Sequence, residues 1–247
     1  MYINIDMKIA IQLSGQPRFT QDFNLLLENL IGYDQADWFI YLSNQYHTHR
    51  IKDGVEISQS WEDFDADWAI NKISSNLPRN NFIQRFEISD SHLQQWPPVS
   101  NIHCTFTVEG VWMMYYNLLK VNQLRIDFQR QQNVEYDFIL RVRSDSNLNR
   151  PIDMSQLTIN HDEIYMPSNN WFGLPGLYAN DQFAIGKDQS VTTYCDIVHS
   201  IKKYNDSGIA FHPETLLAQH LLANNIKTIK GNFESTIRQF PIDSKWN

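Results

Sequence analysis

The chain has 247 residues, a formal net charge of -8, 42% hydrophobic residues and 13% aromatic residues. This composition predicts a packed core and argues against disorder, while the acidic balance argues against binding to a nucleic-acid backbone. The length suits one large α/β domain, and we predict a single domain over residues 1–247.

Two further features bear on the compartment. Cys104 and Cys195 lie far apart and lack CxxC spacing, so we expect neither a disulfide framework nor a structural zinc site. The N-terminus lacks the basic start and cleavage site of a signal peptide, and no apolar run approaches membrane-spanning length. We therefore expect a cytoplasmic protein, and this expectation leaves peripheral attachment to a membrane open.

The first third of the chain combines strand and helix signals. Short apolar runs predict strands at Lys8–Leu13, Asp37–Ser43 and Asn81–Glu87. Apolar residues at helical spacing predict a helix from Phe19 to Ile31. The periodicity is lost between residues 44 and 81, where we predict loops and a short helix.

The middle of the chain contains the longest helical signal. Trp96-Pro97-Pro98 predicts a loop over residues 89–101, because two consecutive prolines do not continue regular structure. Apolar residues then follow helical spacing from Thr105 to about Gln131 and lead into a strand that begins near Tyr136. A strand, a long helix and a second strand imply a right-handed parallel crossover.

The last third predicts shorter elements. They are strands at Ile164–Met166, Asp181–Ile185 and Ile226–Ile229, a Gly/Pro/aromatic loop at Ser168–Tyr178, a helix at Asp188–Tyr204 and a helix opened by His212-Pro213-Glu214. The order of the elements and their apolar strands predict an α/β fold with a mostly parallel central sheet.

The segment Tyr136–Leu148 is the first candidate site, because a buried hydrophobic run changes there into a polar cluster. In open α/β sheets, ligands bind just outside the carboxyl ends of the strands. Asp145 and Asn147 offer oxygen ligands for Mg²⁺ or Mn²⁺ against a diphosphate. Arg141 and Arg143 share one side of the strand, so that one can pair with a buried carboxylate while the other faces phosphates. In the alternative interpretation Asp145 caps a turn and the arginines form ordinary ion pairs.

The segment Ser14–Arg18 follows the first predicted strand. Ser14, Gly15, Gln16 and Arg18 offer backbone donors, a flexible glycine and a guanidinium suited to phosphate. The segment matches neither a Walker loop nor a GxGxxG fingerprint, and an ordinary strand-to-helix turn is the alternative.

Two later carboxylates, Asp181 and Glu214, lie at element boundaries and are candidate general bases. The helix dipole also favours an anionic Glu214 without any catalytic role. His47 and His49 face the same way on an extended strand, but no third metal ligand accompanies them. Asp63, Asp65 and Asp67 alternate as in a calcium loop but lack its glycine and terminal glutamate, which favours a solvated acidic loop.

With these residues in place, the chain resembles GT-A-fold glycosyltransferases, in particular the small enzymes that build lipopolysaccharide and capsule sugars. The resemblance lies in the opening KIAIQLSGQPRF, the strand DWFIYLS, the long helix leading into YDFILRVRSDSNL, and NDQFAIG followed by HPETLLAQHL. It implies a three-layer GT-A sandwich that transfers a sugar from a nucleotide sugar to a glycan acceptor in polysaccharide biosynthesis.

The resemblance also implies roles for individual residues. Ser14, Gly15, Gln16, Arg18, Arg143, Asp145 and Asn147 would bind the nucleotide sugar, with Asp145 also holding a divalent metal. Asp181 or Glu214 would act on the acceptor hydroxyl, and Trp171, Tyr178 and His212 would bind the acceptor.

One departure matters, since Asn147 replaces the second aspartate of the usual Asp-x-Asp metal motif. The metal is then weakly held, or replaced by Arg18 and Arg143. Two other functions stay open, namely a sugar-phosphate nucleotidyltransferase and a catalytically silent carbohydrate-binding protein of the same fold. The missing aspartate favours the silent protein, while the lack of a long Gly-rich first loop argues against the nucleotidyltransferase.

Overall fold

The computed structural model of the protein describes residues 7–15, 29, 36–43, 46–52, 55–61, 71, 73, 75, 82–89, 94–104, 107–169 and 171–237. The strands are β1 (Ile9–Gly15), β2 (Ala36–Ser43), β3 (Tyr46–Lys52), β4 (Val55–Trp61), β5 (Phe82–Ser89), β6 (Phe138–Arg143), β7 (Ser146–Leu148), β8 (Glu163–Met166), β9 (Phe172–Leu174), β10 (Leu177–Ala179), β11 (Phe183–Gly186), β12 (Lys227–Lys230) and β13 (Ser235–Ile237). The helices are α1 (Val108–Gln132), α2 (Asp188–Cys195), α3 (Ile201–Asp206) and α4 (Pro213–Ala223).

A seven-stranded sheet with the order β12-β8-β11-β6-β1-β2-β5 forms the centre of the described structure. Strands β6, β1, β2 and β5 are parallel to one another, as are β8 and β12. Only β11 runs against its neighbours, β6 and β8. The predicted α/β fold with a mostly parallel central sheet is confirmed, as are the predicted strands that correspond to β1, β2, β5, β6, β8, β11 and β12.

Apolar residues on both faces of the sheet explain why its central strands read as continuous hydrophobic runs. In β1, Ile9, Ile11 and Leu13 pack into one core cluster, while Ala10 belongs to a second cluster on the opposite face. The second cluster contains the buried side of α1, including Tyr115. Successive strand residues point to opposite faces, so burying both faces favours apolar residues at most positions of the strand.

Helix α1 confirms the predicted long helix and is fixed at both ends. The Thr107 side chain accepts a hydrogen bond from the Gly110 backbone N–H at 3.1 Å, and Asn133 ends the helix with a φ of 50°. Within the helix, Asn122 Oδ1 accepts hydrogen bonds from Gln12 Nε2 and Arg125 Nη2, at 2.9 and 2.8 Å. This buried polar network fixes α1 on β1 and thereby orients the sheet edge described below.

The predicted loops and short helix over residues 44–81 are wrong in part, because β3 and β4 form an antiparallel hairpin there. The two strands are polar, so neither has the apolar run by which the other strands were recognised. The sequence nevertheless contains a hairpin signal, the dipeptide Asp53-Gly54 between the two strands.

Three further expectations need correction. The predicted loop at Ser168–Tyr178 contains the hairpin β9–β10, which we call the aromatic hairpin (residues 172–179). The predicted helix at Asp188–Tyr204 is divided by a 3₁₀ turn, Asp196–His199, between α2 and α3. Strand β12 is not the last strand, because β13 follows it and pairs with β7. Such short elements arise from tertiary pairing, which local propensity does not report.

The predicted helix from Phe19 to Ile31 lies outside the described residues, except for the buried Asn29. None of the helices in the described ranges combines the length and apolar character needed to cross a membrane.

Candidate functional site

The carboxyl ends of β1 and β6 lie side by side, and the chain returns to the same edge just before β11. Ser14 is paired with Arg143 in the parallel register of these strands. The Arg143 backbone N–H donates to the carbonyl of Gln182 at 3.1 Å. Because β11 is antiparallel to β6, the residues that precede β11 are brought to the carboxyl end of β6. Asp181 therefore lies beside Arg143, although it precedes β11 and does not begin it as predicted.

Arg143 joins two carboxylates that are distant in sequence. Its Nε and Nη2 donate to the two oxygens of Asp145, both at 2.9 Å, and its Nη1 lies 3.4 Å from Asp181 Oδ2. The side chains of Asp145 and Asp181 are 4% and 7% exposed, whereas that of Arg143 is 20% exposed. Burial alone lowers the pKa of Arg143, but Asp145 and Asp181 raise it above its usual value. The guanidinium is therefore a permanent positive charge that reaches solvent at this edge.

Buried polar groups hold the backbone at Asp181 and the residues that follow it. Arg141, which is fully buried, donates from Nη1 to the backbone carbonyl of Asp181. Asn180 Oδ1 accepts the backbone N–H groups of Gln182 and Phe183, at 2.9 and 3.3 Å. Of the two arginines, Arg143 forms ion pairs with buried carboxylates, while Arg141 donates a hydrogen bond to a backbone carbonyl.

Glu214 reaches the same group from the first turn of α4. Pro213 occupies the predicted first position of this helix, and Glu214 is only 8% exposed. No described residue gives its Oε2 a hydrogen bond. Burial, reinforced by the charge of Asp181, raises the pKa of Glu214 from 4.5 to about 8. The carboxyl is therefore mostly protonated at pH 7, since burial outweighs the stabilisation of the anion that the helix dipole provides.

His212 completes what we call the sheet-edge cluster, defined as Arg143, Asp145, Asp181, Glu214 and His212. Its Nδ1 lies 3.5 Å from Glu214 Oε2 and 3.2 Å from Thr215 Oγ1. Burial lowers the pKa of His212, opposed by the charge of Asp181, while His103 lowers it further. The imidazole is accordingly neutral at pH 7.

The aromatic hairpin is attached to this cluster through its backbone. The Leu174 N–H donates to Thr215 Oγ1 at 2.9 Å. Tyr178 is 45% exposed, and the residue paired with it, Gly173, has no side chain. Trp171 is placed differently, since its Nε1 donates to the carbonyl of Pro167 and Lys230 Nζ lies 5.0 Å from its ring centre.

Two residues near the cluster were missed by sequence reasoning. The hydroxyl of the buried Tyr115 donates to the Pro213 carbonyl at 2.6 Å, and burial, Asp181 and Glu214 together raise the pKa of Tyr115. The His103 backbone N–H donates to the carbonyl of Phe211 at 3.1 Å, which brings His103 beside His212. In the sequence, Tyr115 occupies one apolar position of an amphipathic helix, and His103 follows a loop. Neither residue therefore carries a local signal of a functional site.

The structure describes only some of the other residues that were predicted to bind the nucleotide sugar. Ser14 is buried, and its Oγ has no hydrogen-bond partner among the described residues. Gly15 adopts a φ of 129°, which favours glycine, and a Cβ there would lie 4.0 Å from Ser144 Oγ. Gln16 and Arg18 lie outside the described residues. Asn147 is buried in β7 and paired with Thr236 in β13.

The described part of the chain contains no group of three or more His, Cys, Asp or Glu side chains arranged to hold a metal ion. His47 and His49 lie in β3, as their predicted extended spacing requires, but their side chains are outside the description. Asp63, Asp65 and Asp67 are outside it altogether.

Comparison of the chain with protein-family models gives no match, and comparison with curated proteins gives none either. Functional inference therefore depends on the site itself.

Proposed function

We propose that this chain is a GT-A-type glycosyltransferase that moves a sugar from a nucleotide-sugar donor to a hydroxyl of a glycan acceptor. The observation that carries the proposal is the convergence of Arg143, Asp145, Asp181 and Glu214 at one edge of a mostly parallel sheet. These residues come from three separate parts of the chain. The edge is the one at which α/β proteins bind ligands, and the cluster combines an accessible cation with a carboxyl whose pKa lies near neutrality.

The donor is assigned to the side of the cluster formed by β1 and β6. There the Arg143 guanidinium meets the diphosphate, for which planar N–H donors are well suited. Ser14 Oγ and the backbone around Gly15 lie at the adjacent strand end, and Gln16 and Arg18 follow directly in sequence. When the sugar leaves the diphosphate, negative charge develops on the β-phosphate, and a fixed guanidinium stabilises it electrostatically.

The donor set around Asp145 does not fit a divalent cation in this arrangement. Both carboxylate oxygens are bonded to Arg143, and Asn147 contributes an amide in place of a second carboxylate. A hard cation prefers several open oxygen ligands, so it would have to displace the guanidinium first. We therefore assign to Arg143 the stabilisation of the negative charge on the leaving group. The experiment that tests this assignment is carried out with and without metal.

Of the two candidate bases, Glu214 is favoured over Asp181. Asp181 is already paired with Arg143, whereas Glu214 Oε2 accepts no hydrogen bond from any described residue. A general base works best when its pKa is close to the working pH. In an inverting transfer, the ionised form of Glu214 takes the proton of the acceptor hydroxyl, the acceptor oxygen bonds to the anomeric carbon, and the bond from that carbon to the diphosphate oxygen breaks.

The acceptor is assigned to the aromatic hairpin and His212, beside Glu214. The exposed Tyr178 ring offers an apolar face to a sugar, and the Leu174–Thr215 hydrogen bond fixes the hairpin against the helix that carries Glu214. Trp171 is assigned to the outer part of the same surface, where Lys230 lies against its ring.

The test is a thermal-shift screen of nucleoside diphosphates and nucleotide sugars, with and without Mn²⁺ or Mg²⁺, on the wild type and on Arg143→Ala. A ligand that binds only the folded state raises the midpoint by mass action. We expect one nucleotide to stabilise the wild type without metal and to lose its effect in Arg143→Ala. A shift that requires metal would contradict the assignment to Arg143.

Product analysis then separates the candidate functions. A nucleoside diphosphate released in step with acceptor glycosylation supports the transferase, and pyrophosphate release would identify a nucleotidyltransferase. An intact fold without any nucleotide-dependent shift would favour the catalytically silent carbohydrate-binding protein, for which the loss of the second motif aspartate is the supporting observation.

A further inference from the structure

Thr215 lies between the aromatic hairpin and the sheet-edge cluster, and the function proposed above uses it only to hold the hairpin. It is 2% exposed and follows Glu214 directly in the first turn of α4. Its Oγ1 is 2.9 Å from the Leu174 backbone nitrogen and 3.2 Å from His212 Nδ1. One hydroxyl therefore contacts both the hairpin and the histidine beside Glu214.

The direction of these two hydrogen bonds follows from the groups involved. A backbone N–H can only donate, so Leu174 uses a lone pair of the Thr215 oxygen. The hydroxyl keeps one hydrogen, and the neutral imidazole of His212 has one nitrogen that can accept it. The arrangement that satisfies all three groups has the hydroxyl donating to His212 Nδ1, which leaves the ring proton on Nε2.

This tautomer matters for Glu214 because the same Nδ1 faces its carboxyl oxygen at 3.5 Å. An Nδ1 without a proton gives Glu214 no hydrogen bond, in agreement with the absence of any donor to Oε2 among the described residues. An Nδ1 that carried the proton could donate to the carboxylate and stabilise its charged form.

We propose that Thr215 is a positioning residue, whose hydroxyl holds His212 with its proton on Nε2 and so keeps Glu214 without a histidine donor. Through Leu174, the same hydroxyl couples the aromatic hairpin to the base. The tautomer is a property of the free protein, whereas the consequence for acceptor turnover rests on the proposed glycosyltransferase function.

Other titratable groups face this pair and are unchanged by a substitution at Thr215. They are Asp181 before β11, Arg143 at the end of β6, Tyr115 on α1 and His103 in the segment over residues 94–104. Because they stay in place, a change in the titration of Glu214 in a Thr215 variant reports the tautomer of His212.

The primary experiment is ¹⁵N NMR of the histidine rings in the full chain, with the His212 signals assigned by their loss in His212→Asn. We expect a protonated Nε2 and an unprotonated Nδ1 in the wild type and in Thr215→Ser, which keeps the hydroxyl. Thr215→Val keeps the shape but removes the hydroxyl, and we expect protonation of Nδ1 to increase. A wild-type His212 protonated on Nδ1 would overturn the proposal, even if Thr215→Val failed to fold.

The second measurement follows the Glu214 carboxyl by ¹³C NMR as a function of pH. Once Nδ1 can donate, we expect Glu214 of Thr215→Val to titrate about one pH unit below the wild type. An unchanged titration in a folded Thr215→Val protein contradicts the proposal. If the tautomer and the titration behave as expected but no nucleotide binds, the positioning role stands and the glycosyltransferase function fails.

Discussion

Asp145 and Glu214 are both buried carboxylates at the same edge of the sheet, but they differ in their hydrogen-bond partners. Asp145 receives two hydrogen bonds from Arg143, whereas Glu214 Oε2 receives none from the described residues. Hydrogen bonds from Arg143 therefore compensate the burial of Asp145, whereas compensation at Glu214 is only partial and burial raises its pKa to about 8. In the proposed function, this edge places a fixed charge pair beside the diphosphate and a general base beside the acceptor hydroxyl.

The largest expected effect is the loss of catalysis when Glu214 is replaced. Glu214→Gln keeps the shape of the side chain but removes its basicity, and we expect kcat to fall by about 100- to 10,000-fold. The measurement is acceptor glycosylation under saturating donor, with Glu163→Gln in β8, outside the sheet-edge cluster, as the matched control. A Glu214→Gln variant that retains full turnover would move the base to Asp181.

The next largest effect concerns Asp145, the carboxylate that is paired with Arg143. Asp145→Ala leaves Arg143 without its bidentate partner, and we expect a loss of about 2 kcal/mol of folding free energy, reduced from the value for a fully buried pair because Arg143 is 20% exposed. Chemical denaturation measures the loss. Asp162→Ala removes a carboxylate from an exposed pair with Lys227 and should show no measurable change. If the two variants were equally stable, the Arg143–Asp145 pair would not offset the free-energy cost of burying Asp145.

The pH dependence of stability sharpens the comparison. Because the folded state of Glu214 binds its proton more tightly than the unfolded state, its contribution to stability is greatest below pH 4.5 and is lost as the pH rises to about 8. Glu214→Gln lacks this loss, so we expect it to be more stable than the wild type by about 1–3 kcal/mol at pH 8 and by much less at pH 5. Thermal unfolding of both proteins at the two pH values checks the sign. A constant difference would mean that Glu214 titrates normally.

The smallest expected effect lies on the aromatic hairpin. Tyr178→Ala removes an exposed ring, and we expect the acceptor KM to rise about 5-fold, as the loss of about 1 kcal/mol of aromatic contact predicts. The melting temperature should stay unchanged because the side chain is 45% exposed. Leu222→Ala, which removes another exposed hydrophobic residue near the far end of α4, serves as the control. An unchanged KM would remove Tyr178 from the acceptor surface.

Much of the fold followed from the sequence because its central elements carry strong local signals. Strands β1, β2 and β6 read as apolar runs since both faces of the sheet are covered, and α1 has sustained helical periodicity. The β3–β4 hairpin and β13 were missed because their residues are polar or few and their pairing is decided by a partner strand.

Sequence alone also determined which polar residues stand at the strand ends, and it separated Asp145, Asp181 and Glu214 from the other acidic residues. Only the tertiary structure decided that Arg143 pairs with the first two and that Glu214 Oε2 accepts no hydrogen bond from the described residues. The reason is physical, since hydrogen bonds and desolvation depend on residues that lie far apart in the chain. Asp145 and Glu214 have the same functional group in the sequence, and only their surroundings in the fold make one a paired charge and the other a buried carboxyl with a raised pKa.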